Sequence, residues 1–198
     1  MDAKKRLVVG MSGASGALLG IELLRALRRE PEWETHLVIS RGAEETINQE
    51  TNYKLDEVLS LADRSYSVKD LGASIASGTF KTEGMVVVPC SMKTLAGIAS
   101  GYSDNLLLRA ADVTIKERRK LVLVARETPL SSIHLRNMLA LSDLGVTIMP
   151  PVISYYNRPV NLEEQCRHFI GKILDAFGID CPGFKRWGER SPKDVAQT

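Results

Sequence analysis

Short uninterrupted apolar runs alternate along this chain with stretches whose apolar residues recur every three or four positions. The runs are Leu7-Val8-Val9, Leu37-Val38-Ile39, Met85-Val86-Val87-Val88, Leu121-Val122-Leu123-Val124-Ala125 and Val146-Thr147-Ile148-Met149. Runs without a polar break suit strands covered on both faces of a parallel sheet. Between the first two runs, Leu18, Ile21, Leu24 and Leu27 share one helical face, while Arg25, Arg28 and Arg29 fall on the wet side. That spacing predicts a helix over about 15–29. Further helices are predicted from 41 to about 50, over 94–100, 105–117 and 131–144, and from about 162 to 177. The segment 52–82 is the least regular, with a short helical piece over 55–62 and a Gly/Ser-rich stretch over 72–79. Strand and helix signals in alternation predict an α/β fold: a Rossmann-like, doubly wound, mostly parallel sheet in three α/β/α layers. One domain is expected over 1–180, with 181–198 as a tail packing near the site or at an interface.

Composition narrows the class of partner. The chain has 198 residues, 44% of them hydrophobic, enough for one domain with a substantial core. Lys and Arg exceed Asp and Glu by only 2 charges, which gives no argument for nucleic acid or a membrane surface. Cys90, Cys166 and Cys181 are scattered, without CxxC spacing. They suggest neither a disulfide framework nor a zinc site, and a reduced cytoplasmic protein is expected. Neither a signal-peptide pattern nor an apolar stretch long enough for a membrane helix is present.

Polar chemistry gathers where the strands end, the place at which open parallel sheets bind ligands. The first strand runs into Gly10-Met11-Ser12-Gly13-Ala14-Ser15-Gly16, and the second into Ser40-Arg41. The third ends in Pro89-Cys90-Ser91-Met92-Lys93-Thr94 and the fourth in Arg126-Glu127-Thr128-Pro129. The fifth leads to Pro150-Pro151 and then Tyr155-Tyr156-Asn157-Arg158-Pro159. Small residues, hydroxyls and cations at every strand end point to a phosphorylated, partly aromatic ligand, with an anion at the first helix start. Neither GxxxxGK[ST] nor GxSxG occurs, which excludes a P-loop nucleotidase and argues against a serine hydrolase. Among the histidines, His36 reads as a packed strand residue and His168 as a helix-face residue beside Arg167. Only His134 is spaced to approach the strand ends.

Taken together, the SGASG turn, the PCSMKTLAGIA turn, the block from Asp104 through Leu139 and the YYNRP segment closely resemble the UbiX-type flavin prenyltransferase family. The resemblance runs from the first strand to Trp187. The related cysteine-decarboxylating branch carries different motifs at the third and fourth strand ends. The resemblance implies that the protein holds FMN and joins a dimethylallyl group from dimethylallyl phosphate to flavin N5 and C6. Prenylated FMN would then serve a UbiD-type aromatic acid decarboxylase. Carried over by position, Gly13, Ala14, Ser15, Ser40, Ser91, Met92, Lys93, Thr94 and Arg126 would contact the flavin. Lys116, Tyr156 and Lys172 would hold the donor phosphate, Trp187 would wall the allyl group, and Ser15, Glu50 and Glu127 would be catalytic. The Ser77-Gly78 step aligns with a mobile family loop. Position 172 is Arg in some relatives; Lys keeps the charge but loses the bidentate fork.

The residues are chemically compatible with that reading. Lys116, Arg126 and Lys172 supply cations for a phosphate leaving group without a metal, and no DDxxD-like carboxylate cluster is present. Glu127 can be the acid that protonates departing phosphate or can pair with Arg126 or Arg136 at the surface. Two other readings stand beside the enzyme. One is an FMN carrier or chaperone serving a decarboxylase; the other, disfavoured for want of an electron sink beyond FMN, is an aromatic acid decarboxylase. The resemblance also implies homo-oligomers, trimers assembled into a dodecamer with sites at subunit junctions. Leu106 to Leu108 and Met138 to Leu141 suit either an interface or the core.

Overall fold

The computed structural model describes residues 4–188. The elements follow as β1 (Lys5–Met11), α1 (Ala17–Leu27), β2 (Trp33–Ile39), α2 (Arg41–Glu50), α3 (Leu55–Leu59) and β3 (Arg64–Tyr66). A 3-10 turn (Ser74–Ala76) precedes β4 (Gly84–Cys90), α4 (Met92–Ala99), α5 (Leu106–Lys116), β5 (Lys120–Ala125), α6 (Ser132–Asp143), β6 (Thr147–Ile148) and α7 (Leu162–Ala176). The six strands form one sheet in the order β3-β2-β1-β4-β5-β6. Every pairing among them is parallel. The chain winds outward from β1 in one direction and from β4 in the other, so the topological switch lies between these two strands.

The apolar runs became the central strands because both sheet faces are covered. Every residue of β4 is buried, as are the last five of β1 and of β5. On one face, Val8, Val38, Met85, Val87, Leu121 and Leu123 join Leu95 of α4 and Leu106 and Leu107 of α5 in a single cluster. α1 closes on the other face, and Gly20 sets how near it comes. A Cβ there would lie 2.6 Å from both Met11 Cε and the Val88 carbonyl oxygen. The structure also separates the two leucine groups left open by the sequence. Leu106, Leu107 and Leu108 are core, whereas on α6 only Leu141 is buried and Leu139 is 62% exposed.

Strand β3 is the element the apolar pattern does not reveal. It is three residues long, Arg-Ser-Tyr, and sits at the sheet edge, where short and charged strands are the rule. Packing divides the chain after Pro151, so α7 groups with the stretch from Val152 and not, as the sequence suggested, with a domain reaching residue 180. Within this second unit, Asn161 caps α7 by accepting the Glu164 N–H at 2.8 Å. Cys166, Phe169, Ile170, Ile173 and Leu174 line its buried side. The expected 181–198 tail lies outside the described residues from 189 onward.

Candidate functional site

The carboxyl ends of β1 and β4 are tied together by one buried hydroxyl. Ser12, only 1% exposed, donates from Oγ to the Pro89 carbonyl at 3.1 Å and accepts the Ser91 N–H at 2.8 Å. Ser91 in turn caps α4 by accepting the Thr94 N–H at 3.3 Å, and its hydroxyl lies 3.1 Å from Thr94 Oγ1. Ser12 was absent from the expected set. Its signal was its position, a polar residue directly after a buried strand at the switch point. Between these serines Cys90 is fully buried, and burial pushes its thiol up to about 12, which removes it as a nucleophile near neutrality.

The first turn is held close to the next strand end. A Cβ on Gly13 would lie 2.9 Å from the Gly42 backbone, so two main-chain segments meet where only glycine fits. Ala14 N–H closes the turn on the Ser12 carbonyl at 2.8 Å, and Gly16 takes a left-handed φ of 111° before α1. Ser40 is the N-cap of α2, its Oγ accepting the Ala43 N–H at 3.2 Å.

An anion does sit on the start of α1, but the protein supplies it. Glu50, at the last turn of α2, accepts the Gly16 N–H at 2.8 Å and the Ala17 N–H at 3.0 Å through Oε2. This corrects the expectation that the glycine turn offers those donors to a ligand. Partial desolvation opposes ionisation of Glu50. Hydrogen bonds from Gly16, the Ser15 hydroxyl and Ala17, with the charge of Arg126, outweigh it and hold the carboxyl below its ordinary 4.5. Glu50, Ser15 and Arg126 are therefore one interacting group at the strand ends.

Arg126 follows β5 and is exposed, with its N–H donating to the Cys90 carbonyl at 3.1 Å. Glu127 is also exposed and accepts the Thr128 N–H at 2.9 Å. It forms no ion pair with Arg126 or Arg136 among the described residues. Met92 is buried in the core, Lys93 is exposed and Thr94 is half-buried.

Lys116 is not brought to this group. It ends α5, and β5 begins at Lys120 opposite Gly84 at the amino edge of the sheet. Arg126 lies beyond the other end of β5, so six residues of extended strand, roughly 20 Å, separate the two edges. Lys116 pairs instead with Glu117, beside Gly78. The loop carrying Gly78 is fastened there by Arg119, which donates to the Gly78 carbonyl at 2.6 Å and the Phe80 carbonyl at 2.8 Å.

The second unit gathers aromatic and basic residues. The Tyr156 hydroxyl lies 3.0 Å from His168 Nε2, and the Tyr156 ring meets Trp187 edge-on at 5.5 Å. His168 also packs against Phe184, with ring centres 5.0 Å apart. Burial first, then the charges of Lys172 and Lys185, lowers the His168 pKa below 6.5. His168, read from sequence as an ordinary helix-face residue, is the residue missed here. His134, by contrast, only closes a capping box with Ser131 at the start of α6.

A doubly wound parallel sheet with glycine, hydroxyl and arginine groups at its switch point defines a Rossmann-type protein for phosphorylated cofactors. The family model described as Flavoprotein matches residues 1–171. A probable UbiX-like flavin prenyltransferase of Sedimentibacter hydroxybenzoicus is 58% identical over 182 residues, covering 92% of this chain and 96% of its own. A solved structure of a dodecameric FMN-dependent UbiX-like decarboxylase from Escherichia coli O157:H7 superposes with a TM-score of 0.91 at 54% identity. It covers 93% of this chain and 100% of that one. AnUbiX in complex with FMN and dimethylallyl pyrophosphate superposes at 0.92 with 51% identity, over 95% of this chain and 100% of that one. The chain belongs to the UbiX-like flavin prenyltransferases of the flavoprotein family.

Proposed function

We propose that this protein is a flavin prenyltransferase. It joins a dimethylallyl unit from dimethylallyl phosphate to N5 and C6 of reduced FMN and supplies prenylated FMN to a UbiD-type aromatic acid decarboxylase. The observation that carries this reading is the Glu50–Ser15–Arg126 group at the switch point, in a chain 51% identical to one solved with both FMN and a dimethylallyl donor. The crevice residues fit a flavin phosphate ester. Gly13 lets the first turn close against Gly42, Ser40 and Ser91 present hydroxyl groups at two helix starts, and Arg126 adds a cation.

Reduced FMN, when bound, supplies the electron-rich N5 and C6 that take up the allyl group. In this reading Gly13, Ala14, Ser15, Ser40, Ser91, Met92, Lys93, Thr94 and Arg126 hold it. Glu50, kept ionised, fixes the Ser15 hydroxyl and receives a proton through it at Oε. Lys116, Tyr156 and Lys172 hold the donor phosphate, where their positive charge and hydroxyl stabilise the leaving group. Glu127 gives the departing phosphate its proton, and Trp187 provides a π-face for the allyl fragment.

Lys116 must come from a neighbouring copy, since its own β5 holds it away from Arg126. Homo-oligomerisation is supported by exposed Ile133, Leu135, Leu139 and Leu144 on and after α6, and by the dodecameric relative. Trimers assembled into a dodecamer, working in the cytoplasm, complete the reading. No helix among the described residues is long and apolar enough to cross a membrane.

Anaerobic incubation with reduced FMN and dimethylallyl monophosphate tests it, with the released flavin read by mass spectrometry. A flavin heavier by one C5 unit, lost in Glu127→Gln, is expected. Unmodified FMN despite tight binding would assign the protein to the carrier class instead.

A further inference from the structure

We propose that the amino-terminal half of the sheet carries a second binding site, for a small planar aromatic carboxylate. It lies on the α5 face, at the opposite end of the sheet from this chain's own strand-end crevice. A cavity of about 480 Å³ is lined by Arg6 of β1, Glu34 and His36 of β2, Arg64, Ser65 and Tyr66 of β3, and Ser74 and Phe80. That size falls within the roughly 300–1,000 Å³ of small-molecule sites.

The polar character of this patch is not required by the fold. Arg6, Glu34, His36, Arg64 and Tyr66 share one sheet face because register pairs Arg6 with Glu34, and His36 with both Val8 and Arg64. Two residues further along the same strands that face carries Val8 and Val38, both core. Apolar residues would cover the amino half equally well, whereas partly buried charges cost desolvation. Three charged groups and a histidine nonetheless converge there. Glu34 lies between the arginines, with Oε2 3.3 Å from Arg6 Nε and Oε1 3.8 Å from Arg64 Nε. The terminal Nη groups of both arginines have no hydrogen-bond partner among the described residues. His36 is 2% exposed, and its Nδ1 is 2.8 Å from the Tyr66 hydroxyl. Its Nε2 is left without a hydrogen bond, 3.6 Å from Glu34 Oε1. Buried polar atoms in that condition are uncommon and mark a cluster not optimised for stability alone.

Charge and shape select the ligand. Within the lining, two arginines against one glutamate leave one positive charge, which a monoanion balances; Asp63, bonded to Thr35, is not part of the lining. A dianionic phosphate would bring its second charge against Glu34 with nothing to offset it. Guanidinium forks suit carboxylates. Rings back the cations: buried His36 is stacked near-parallel to Tyr66 with centres 5.8 Å apart and meets Phe80 edge-on at 5.1 Å, while the Arg6 guanidinium lies over the Phe80 face at 4.6 Å. The half-buried Tyr66 ring is the flat surface left beside the guanidinium edges, and it fits an aromatic body carrying one carboxylate.

The site is independent of the prenyltransferase reading, and its test keeps the two apart. Benzoate is titrated calorimetrically into the intact FMN-loaded protein, alongside neutral benzamide and inorganic phosphate. Arg64, whose side chain is 69% exposed, can be removed without disturbing the core. Saturable benzoate binding is expected, weakened about tenfold or more both by Arg64→Ala and by the change to benzamide. FMN binding by Arg64→Ala should match the wild type. No benzoate binding, equal binding by Arg64→Ala, or phosphate binding without benzoate binding would each overturn the proposal.

Discussion

The carboxylate of Glu50 sits 2.8 Å from the Gly16 N–H, on the positive end of α1. A helix start that could have received a ligand phosphate is thus already neutralised by a residue from the end of α2. The arrangement places a carboxylate, the Ser15 hydroxyl and Arg126 at the strand-end crevice, and it couples two βα turns that are distant in sequence.

Replacing Glu50 with Gln should therefore weaken both the fold and the reaction. Glu50 is ionised in the folded protein with its pKa depressed below 4.5. Its contribution is full above 4.5 and is lost as pH falls through the lower folded value. Glu50→Gln should lower stability at pH 7 by about 0.3–1 kcal/mol, the range for a charge at a helix terminus. Thermal denaturation of the two proteins should converge as pH falls below 4.5 and through the lower folded value. A difference that stays constant down to acid pH would rule out the charge as its source.

Ser12→Ala removes the hydroxyl joining β1 to β4. The Pro89 carbonyl and Ser91 N–H lose their shared partner in a buried position. A loss of about 1–3 kcal/mol follows from leaving such groups unsatisfied. FMN affinity should fall as well, because the Ser91 turn is set by that bond. Denaturation midpoints and flavin-fluorescence titration of the variant read the two effects, and wild-type values in both would remove Ser12 from the site.

The alternation of apolar runs and helical spacing made the parallel sheet legible, since Val86 to Val88 and Leu121 to Ala125 carry their burial in their composition. β3 was hidden because Arg64 and Ser65 face solvent at an edge and need no apolar signal. The strand-end turns stood out in the sequence as the candidate ligand site, because small and hydroxyl residues at those positions have few other uses. The partner of each was not. That Glu50 rather than a ligand occupies α1, that Ser12 bridges two strands, and that Tyr156 meets His168 depend on three-dimensional register, which single residues do not encode.

His168 should add a second pH dependence. Burial and the charges of Lys172 and Lys185 hold its pKa below 6.5, so it stays neutral and its Nε2 can accept from the Tyr156 hydroxyl. As pH falls through 6.5 the unfolded chain takes up a proton that the folded chain resists, and stability declines until the folded pKa is passed. His168→Gln should flatten that part of the stability profile. On the proposed role of Tyr156 at the donor phosphate, His168→Ala should raise KM for dimethylallyl monophosphate roughly two- to tenfold, the worth of one hydrogen bond, with kcat little changed. An unchanged KM would leave His168 a packing residue.

Lys116 gives the sharpest test of how the site is assembled. It stands at the amino edge of the sheet and Glu50 at the carboxyl edge, with β5 spanning the distance between those edges. A site that needs both must take them from different copies. Lys116→Ala and Glu50→Gln should each be inactive alone. When the two are unfolded together in equal amounts and reassembled, a Lys116→Ala subunit supplies intact Glu50 while a Glu50→Gln neighbour supplies intact Lys116. Random mixing of two subunit types makes about one quarter of the junctions fully intact. Prenylated FMN should then form at about that fraction of the wild-type rate, while mixtures made without reassembly stay inactive. A mixed oligomer that remains silent would mean that Lys116 and Glu50 act within one chain, and an active Lys116→Ala protein would mean that Lys116 takes no part in the reaction.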